Sequence, residues 1–272
     1  GKRLQTPTQD PRGYSVVRML RNDQEQILRS QEQAQLAHRL NKETQNGLLA
    51  IKEFNQNALE RVAGLSGPTK TEDCRFFAGE INAQIENCIC ILNKKDAITQ
   101  RSLFGAGQIT EEAITVTRVD GLATAVQYVG QGEAPTLAIS ESMPNFNPQA
   151  TAAQAQTLAD SINHLIALRD ALNQFTPQGG SGAIDQARQQ VQADEDVIRN
   201  ITTENILSEL TIQSALKLQQ TQFKHDKESI SHLEDADFLS AINQASSYLT
   251  AFQACSQVFG LMNKTSILNY IQ

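Results

Sequence analysis

From Ala183 to Phe259 the chain contains neither glycine nor proline. The two residues that most readily end a helix are therefore missing from a stretch several times longer than an ordinary helix. At 1.5 Å of rise per residue, a helix of about fifty residues spans roughly 75 Å. Within the stretch Ile212, Leu216, Phe223, Ile230 and Leu233 keep heptad phase, the pattern of helices wound on one another. At Glu234-Asp235-Ala236-Asp237 that seam slips. Phe238 falls eight residues after Ile230 instead of seven, and Ile242, Ala245, Leu249, Phe252 and Phe259 hold the new phase. Such a slip marks a boundary between two packing partners. The second stripe needs a partner, and no other segment offers a comparably clean unmatched seam.

The first part of the chain reads in the same way. Asp10-Pro11 supplies a cap and a first-turn proline, and the next proline is Pro68. One long helix is predicted from Asp10 to Leu65. Leu48, Ile51, Ala58, Val62 and Leu65 form its seam, with Leu20, Ile27 and Ala34 recurring more sparsely before them. Gly64, Gly67 and Pro68 end it, and Thr69 with Glu72 forms a capping box for a second helix from Thr71 to about Leu92. Phe77, Ile81, Ile85, Cys88 and Leu92 line one face of that helix. The short connection makes the pair an antiparallel αα-hairpin.

After Leu103-Phe104-Gly105-Ala106-Gly107 the period changes to alternation. Ile114 and Val116 fall on one face, Thr115 and Thr117 on the other, and the turn dipeptide Asp120-Gly121 follows. A hairpin with Ala123 to Val129 is predicted, with Thr136 to Ile139 as a short edge strand. Asn147-Pro148 repeats the cap-plus-proline signal before a seam of Leu158, Ile162, Leu165 and Leu172. The loop Thr176 to Gly182 then leads into the last long helical stretch. The expected fold is mainly α, an elongated antiparallel coiled-coil-like bundle with a small β insert. Its expected parts are a helical hairpin over 1–107, the β insert over 108–148, two further bundle helices over 149–236, and a terminal helix over 237–272.

Composition excludes several classes of function. A formal net charge of -7 and the lack of a basic cluster argue against nucleic acid and anionic membrane surfaces, which require cationic patches. No stretch approaches the roughly 18 apolar residues of a membrane span. Cys88 and Cys90 lie two apart on a helix and so diverge, which makes them a poor metal clamp with Cys74 and Cys255. They are read as inert reduced thiols. His38, His164, His225 and His232 lack the i, i+4 spacing of helix-borne ligands and are read as exposed surface residues. Glu234, Asp235 and Asp237 read as a solvated segment boundary. No phosphate-binding, dinucleotide or nucleophile-elbow motif occurs, so neither an enzyme nor a cofactor is expected.

The ends of the chain carry a resemblance. Gly1-Lys2-Arg3-Leu4-Gln5-Thr6-Pro7-Thr8-Gln9-Asp10-Pro11 resembles the segment commonly written SGKRL-x-x-PSDDP that follows the first helix of flagellins and flagellar hook-associated proteins. Thr8 and Gln9 depart from it. Leu103 to Gly107 resembles the family's LFAG or LFGG step. His232-Leu233-Glu234-Asp235-Ala236-Asp237-Phe238 resembles the lead into the last assembly helix, and Ser266-Ile267-Leu268-Asn269-Tyr270-Ile271 the terminal SLFDYL-like signature. Leu59, Arg61, Val62 and Leu65 match the helix patch LQRVRELAVQ that an innate immune receptor reads in many flagellins, whereas Ala63 and Gly64 replace its second Arg and its Glu.

The resemblance implies a structural subunit of the bacterial flagellum, more like the hook-filament junction protein than like compact flagellins. Its implied site is an assembly interface on Phe238, Ile242, Ala245, Leu249, Phe252 and Phe259. The family pairs its terminal segments as a coiled coil, and the chain here is expected to lack the N-terminal member of that pair. Implied partners are further copies, hook-associated proteins, flagellin and an export chaperone. The implied location is the extracellular flagellum, reached through the flagellar secretion apparatus. The competing expectation is a helical adhesin or secretion-tip protein that binds a partner surface.

Overall fold

The computed structural model describes residues 11–65, 71–105, 112–130, 137, 139, 149–176, 181–234 and 238–264, without the side chains of 238–242, 244 and 259–264. Five helices and a two-stranded sheet occur among them, in the order α1 (Pro11–Ala63), α2 (Thr71–Leu92), β1 (Ile114–Val119), β2 (Leu122–Tyr128), α3 (Ala152–Asn173), α4 (Ser181–Glu234) and α5 (Phe238–Lys264). The fold is the expected mainly α bundle with a small β insert. Two compact units divide it. One is Ile27–Gln220, and the other combines Gly1–Gln26 with Thr221–Gln272, so that α1 and α4 contribute to both.

In the larger unit, polar pairs fix the directions of the helices. Arg61 pairs with Glu80 and Lys94 with Glu43, so α2 runs antiparallel to α1, as the short connection predicts. Gln56 bonds Glu195 and Gln219 bonds Ser30, which sets α4 antiparallel to α1. His164 pairs with Asp194 and Gln154 with Glu204, which sets α3 antiparallel to α4. The core between these helices includes Leu48, Ile51, Ala58, Ile81, Ile85, Leu92, Leu158, Ile162, Leu165, Val191 and Ile198. Leu103 and Phe104 seal it from the loop after α2. Gly47 permits this closure, because a β-carbon there would stand 3.0 Å from both Ile91 Cγ2 and Phe104 Cζ. In the smaller unit Val17 is buried, and buried Glu234 accepts a charged hydrogen bond from Arg21.

The seam of α1 contains polar residues as well as apolar ones. Buried positions 34, 41, 48, 55 and 62 recur every seventh residue, with 37, 44, 51 and 58 between them, and Asn41, Thr44 and Asn55 occupy three of the nine. Each has a partner. Asn41 Nδ2 donates to Asn205 O at 3.1 Å while Asn205 Nδ2 donates to Asn41 Oδ1 at 2.9 Å. Thr44 bonds Leu40 O, and Asn55 bonds Ser161 Oγ at 3.1 Å. Buried polar groups persist when so satisfied, and in helical seams they fix register.

The β insert forms around Asp120 (φ 49°) and Gly121 (φ 83°), the left-handed pair of a two-residue hairpin turn. Val119 pairs Leu122 and Val116 pairs Val126, with a bulge at Thr124 where the register shifts between Thr117 and Arg118. Of the expected edge strand at Thr136 to Ile139, positions 136 and 138 lie outside the described residues. Leu137 and Ile139 are described, and they pack beside Ala34, Ala37 and Ile212 of α1 and α4. Arg118 holds the hairpin to α2 through two bonds of 2.6 Å to Glu86.

One expected boundary moves. The cap of α3 is Thr151, not the Asn147-Pro148 pair, which lies outside the described residues. Its hydroxyl accepts from Gln154 N, and the Gln154 side chain accepts from Thr151 N. This reciprocal capping box satisfies two otherwise orphaned amides, which a cap-plus-proline pair cannot do.

Candidate assembly surface

No residue between Phe238 and Asn263 is charged. Every residue from Ala245 to Val258 of α5 is exposed, on all sides of the helix. Leu249 is 62% exposed and Phe252 72%, values expected of a polar surface. Leaving each such side chain in water forgoes roughly 1.5–3 kcal/mol. The hydroxyls of Ser247, Thr250 and Ser256 donate back to Asn243, Ser246 and Phe252 carbonyls, so these polar residues are satisfied within their own helix. What remains to engage another surface is the apolar stripe.

Among the residues expected at the interface, Ala245, Leu249 and Phe252 are exposed on α5. Phe238, Ile242 and Phe259 belong to the same helix, and their side chains lie outside the described set. Helical geometry adds Tyr248, 76% exposed, and Cys255 to the stripe, four residues before and three after Phe252. Sequence reading passed over Tyr248 because its amphipathic ring suits both exposed and buried positions. From Phe238 to Asn263 α5 carries no charge, so an apolar contact there would have no flanking ion pairs along that length.

The histidines behave differently from the surface reading. His38 Nδ1 stands 2.6 Å from Glu209 Oε1, and His164 Nδ1 2.8 Å from Asp194 Oδ2, so two of the four pair with carboxylates between helices. Spacing along one helix cannot reveal a partner on another. Glu209 also accepts from Asn41 and Gln213, which makes a polar cluster across the α1–α4 seam. Burial pushes the Asp194 carboxyl above its usual range, and His164 offsets part of that shift. Among the described residues no group of three His, Cys, Asp or Glu side chains could hold a metal ion. Buried Cys74 and Cys88 are free thiols, as are exposed Cys90 and Cys255. No described helix is long and apolar enough to cross a membrane.

Neither a family model nor a curated protein sequence matches the chain. Solved structures do. A protein of Vibrio parahaemolyticus assigned as a flagellar hook-associated protein superposes with a TM-score of 0.69 at 12% identity, over 84% of this chain and 100% of that one. FlgL of Bacillus cereus superposes with a TM-score of 0.61 at 15% identity, over 78% of this chain and 99% of its own. The fold is therefore that of the flagellar hook-associated structures, as the resemblance of the terminal motifs implied.

Proposed function

We propose that the chain is a structural subunit of the bacterial flagellum, of the hook-associated kind, and not an enzyme. The observation that carries this reading is the correspondence of fold over the whole length of both hook-associated structures. The finer reading is a hook-filament junction protein rather than a flagellin. The Leu103-Phe104-Gly105 step and the β insert support it, because many compact flagellins have no such insert. Assembly uses coiled-coil pairing of α5 through Phe238, Ile242, Ala245, Leu249, Phe252 and Phe259 with a terminal segment of a flagellar subunit. The other partners are hook-associated proteins, flagellin and, before export, a chaperone. The working location is outside the cell.

Immunogold electron microscopy of flagella from the source cell, with antibody to this chain, tests the reading. A band of label where hook meets filament is the expected result. Label along the filament would make the chain a flagellin, and flagella without label would overturn the proposal.

A further inference from the structure

Asparagine is followed by glycine at a single place in this chain, Asn46-Gly47, inside α1. In such a pair the glycine nitrogen can attack the side-chain amide before it, because no β-carbon shields that nitrogen or restricts the backbone around it. Packing dictates the glycine. A β-carbon on Gly47 would stand 3.0 Å from both Ile91 Cγ2 and Phe104 Cζ, so the closure of the core by Phe104 requires its absence. Asn46 is exposed. Two contacts that set the register of α1 flank the pair, Asn41 with Asn205 of α4 and Asn55 with Ser161 of α3.

The helix blocks the reaction that the sequence invites. A helical residue has ψ of roughly −42°, which holds the next nitrogen out of the plane in which a five-membered ring closes on the side-chain carbonyl carbon. The proton of that nitrogen is also engaged by the carbonyl four residues back.

We propose that Asn46-Gly47 is a masked self-modification site, inert while α1 is helical and reactive whenever that part of the chain is unfolded. In the unfolded chain Gly47 N gives up its proton and bonds to Asn46 Cγ, the Cγ–Nδ2 bond breaks, and ammonia leaves with the proton, closing a five-membered imide. Water then opens the ring at one of its two carbonyls. Opening at Cγ leaves an ordinary aspartate. Opening at the main-chain carbonyl leaves an isoaspartate, whose backbone runs through Cγ and is longer by one carbon. Water enters and ammonia departs, and no oxidant or other reactant is needed. The extra backbone atom falls between the Asn41 and Asn55 contacts, so one continuous helix cannot satisfy both, and the isoaspartate chain does not refold. This inference goes beyond the flagellar reading and stands apart from it.

The test incubates the full chain at mildly alkaline pH with and without urea and follows position 46 by peptide mapping with electron-transfer fragmentation, which separates isoaspartate from aspartate. Asn46 should convert at least about tenfold faster in urea than in the native chain, and ahead of the other asparagines, since native chains react only through their open fraction. Equal rates, or earlier conversion of another asparagine, would overturn the assignment. After urea is removed, isoaspartate should be confined to chains that fail to regain helical circular dichroism. Asn46→Gln, a change at an exposed position that slows ring closure, should keep its refolding yield through the same ageing. Isoaspartate in fully refolded chains, or an equal loss of yield in the glutamine variant, would overturn the block to refolding.

Discussion

The side-chain amide of Asn163 binds both backbone groups of Val126, accepting from its N–H and donating to its carbonyl, each at 2.8 Å. Asn93 does the same for Ile114, accepting from its N–H at 3.0 Å and donating to its carbonyl at 3.3 Å. A two-stranded sheet has two open edges, and here one amide from α3 and one from just beyond α2 take the place of a third strand on each side. Asn163→Ala should cost about 1–3 kcal/mol in urea unfolding, because it orphans a partly buried N–H and carbonyl. Asn163→Asp should recover little of this, since it restores the acceptor but not the donor. Wild-type stability in the alanine variant would show that water serves Val126 equally well.

The Asn41–Asn205 pair should be energetically coupled. Asn205→Ala removes the donor to buried Asn41 Oδ1 and Asn41→Ala removes the acceptor of half-buried Asn205 Nδ2, so a double-mutant cycle should return about 0.5–3 kcal/mol of interaction. Coupling near zero would mean that the two amides are satisfied independently.

Two carboxylates should give opposite responses to acid. Burial alone would raise Asp96, but the bonds from Thr99 and the Arg39 charge outweigh it and hold the group below the usual 3.8. Its contribution is therefore present above the unfolded value and lost as pH falls through the lower folded value. Asp194 is raised above 3.8, chiefly by burial, so its favourable contribution is complete at low pH and lost as pH rises through its folded value. In unfolding experiments across the acid range, Asp194→Asn should gain on the wild type as pH climbs above 3.8. Asp96→Asn should lose ground as pH climbs towards 3.8. Parallel curves for the two variants would contradict these assignments.

Thiol chemistry should divide the four cysteines. Burial raises Cys88 to about 12 and, with Asp73 nearby, raises Cys74 as well, whereas Cys90 and Cys255 are exposed. Mass spectrometry after alkylation should find modification at Cys90 and Cys255 in the folded protein and at Cys74 and Cys88 only after denaturation. Rapid native labelling of Cys88 would place it at the surface.

Replacing Leu249 and Phe252 by Asp should abolish incorporation into flagella while the thermal unfolding of Ile27–Gln220 is unchanged, because both side chains are exposed in the chain alone. Ordinary incorporation of the double variant would remove α5 from the assembly mechanism.

Much of this fold was legible because long helices announce themselves by period and by the residues they omit. The Asp120-Gly121 turn was equally plain, since few dipeptides tolerate two left-handed residues in succession. The polar half of the seam was not. Asn41 and Asn55 interrupt the apolar period, and the groups that justify their burial, Asn205 and Ser161, lie 164 and 106 residues away. The α3 boundary was missed although Thr151 and Gln154 stand at capping-box spacing, because Asn147-Pro148 offered the same signal slightly earlier. At the candidate site the apolar stripe was readable, but the sequence of an exposed helix carries no record of what would cover it.

The sealed edges of the hairpin leave its tip as the place where this protein can change without consequence for the bundle. Asn93, Asn163 and the Arg118–Glu86 pair grip the strands along their length, while Val119 and Leu122 at the turn are exposed. A peptide grafted between Asp120 and Gly121 would lengthen the ribbon outward and leave the clamped part in register. The insert can thus serve as a display platform, able to accept foreign sequence that the helical seams would reject.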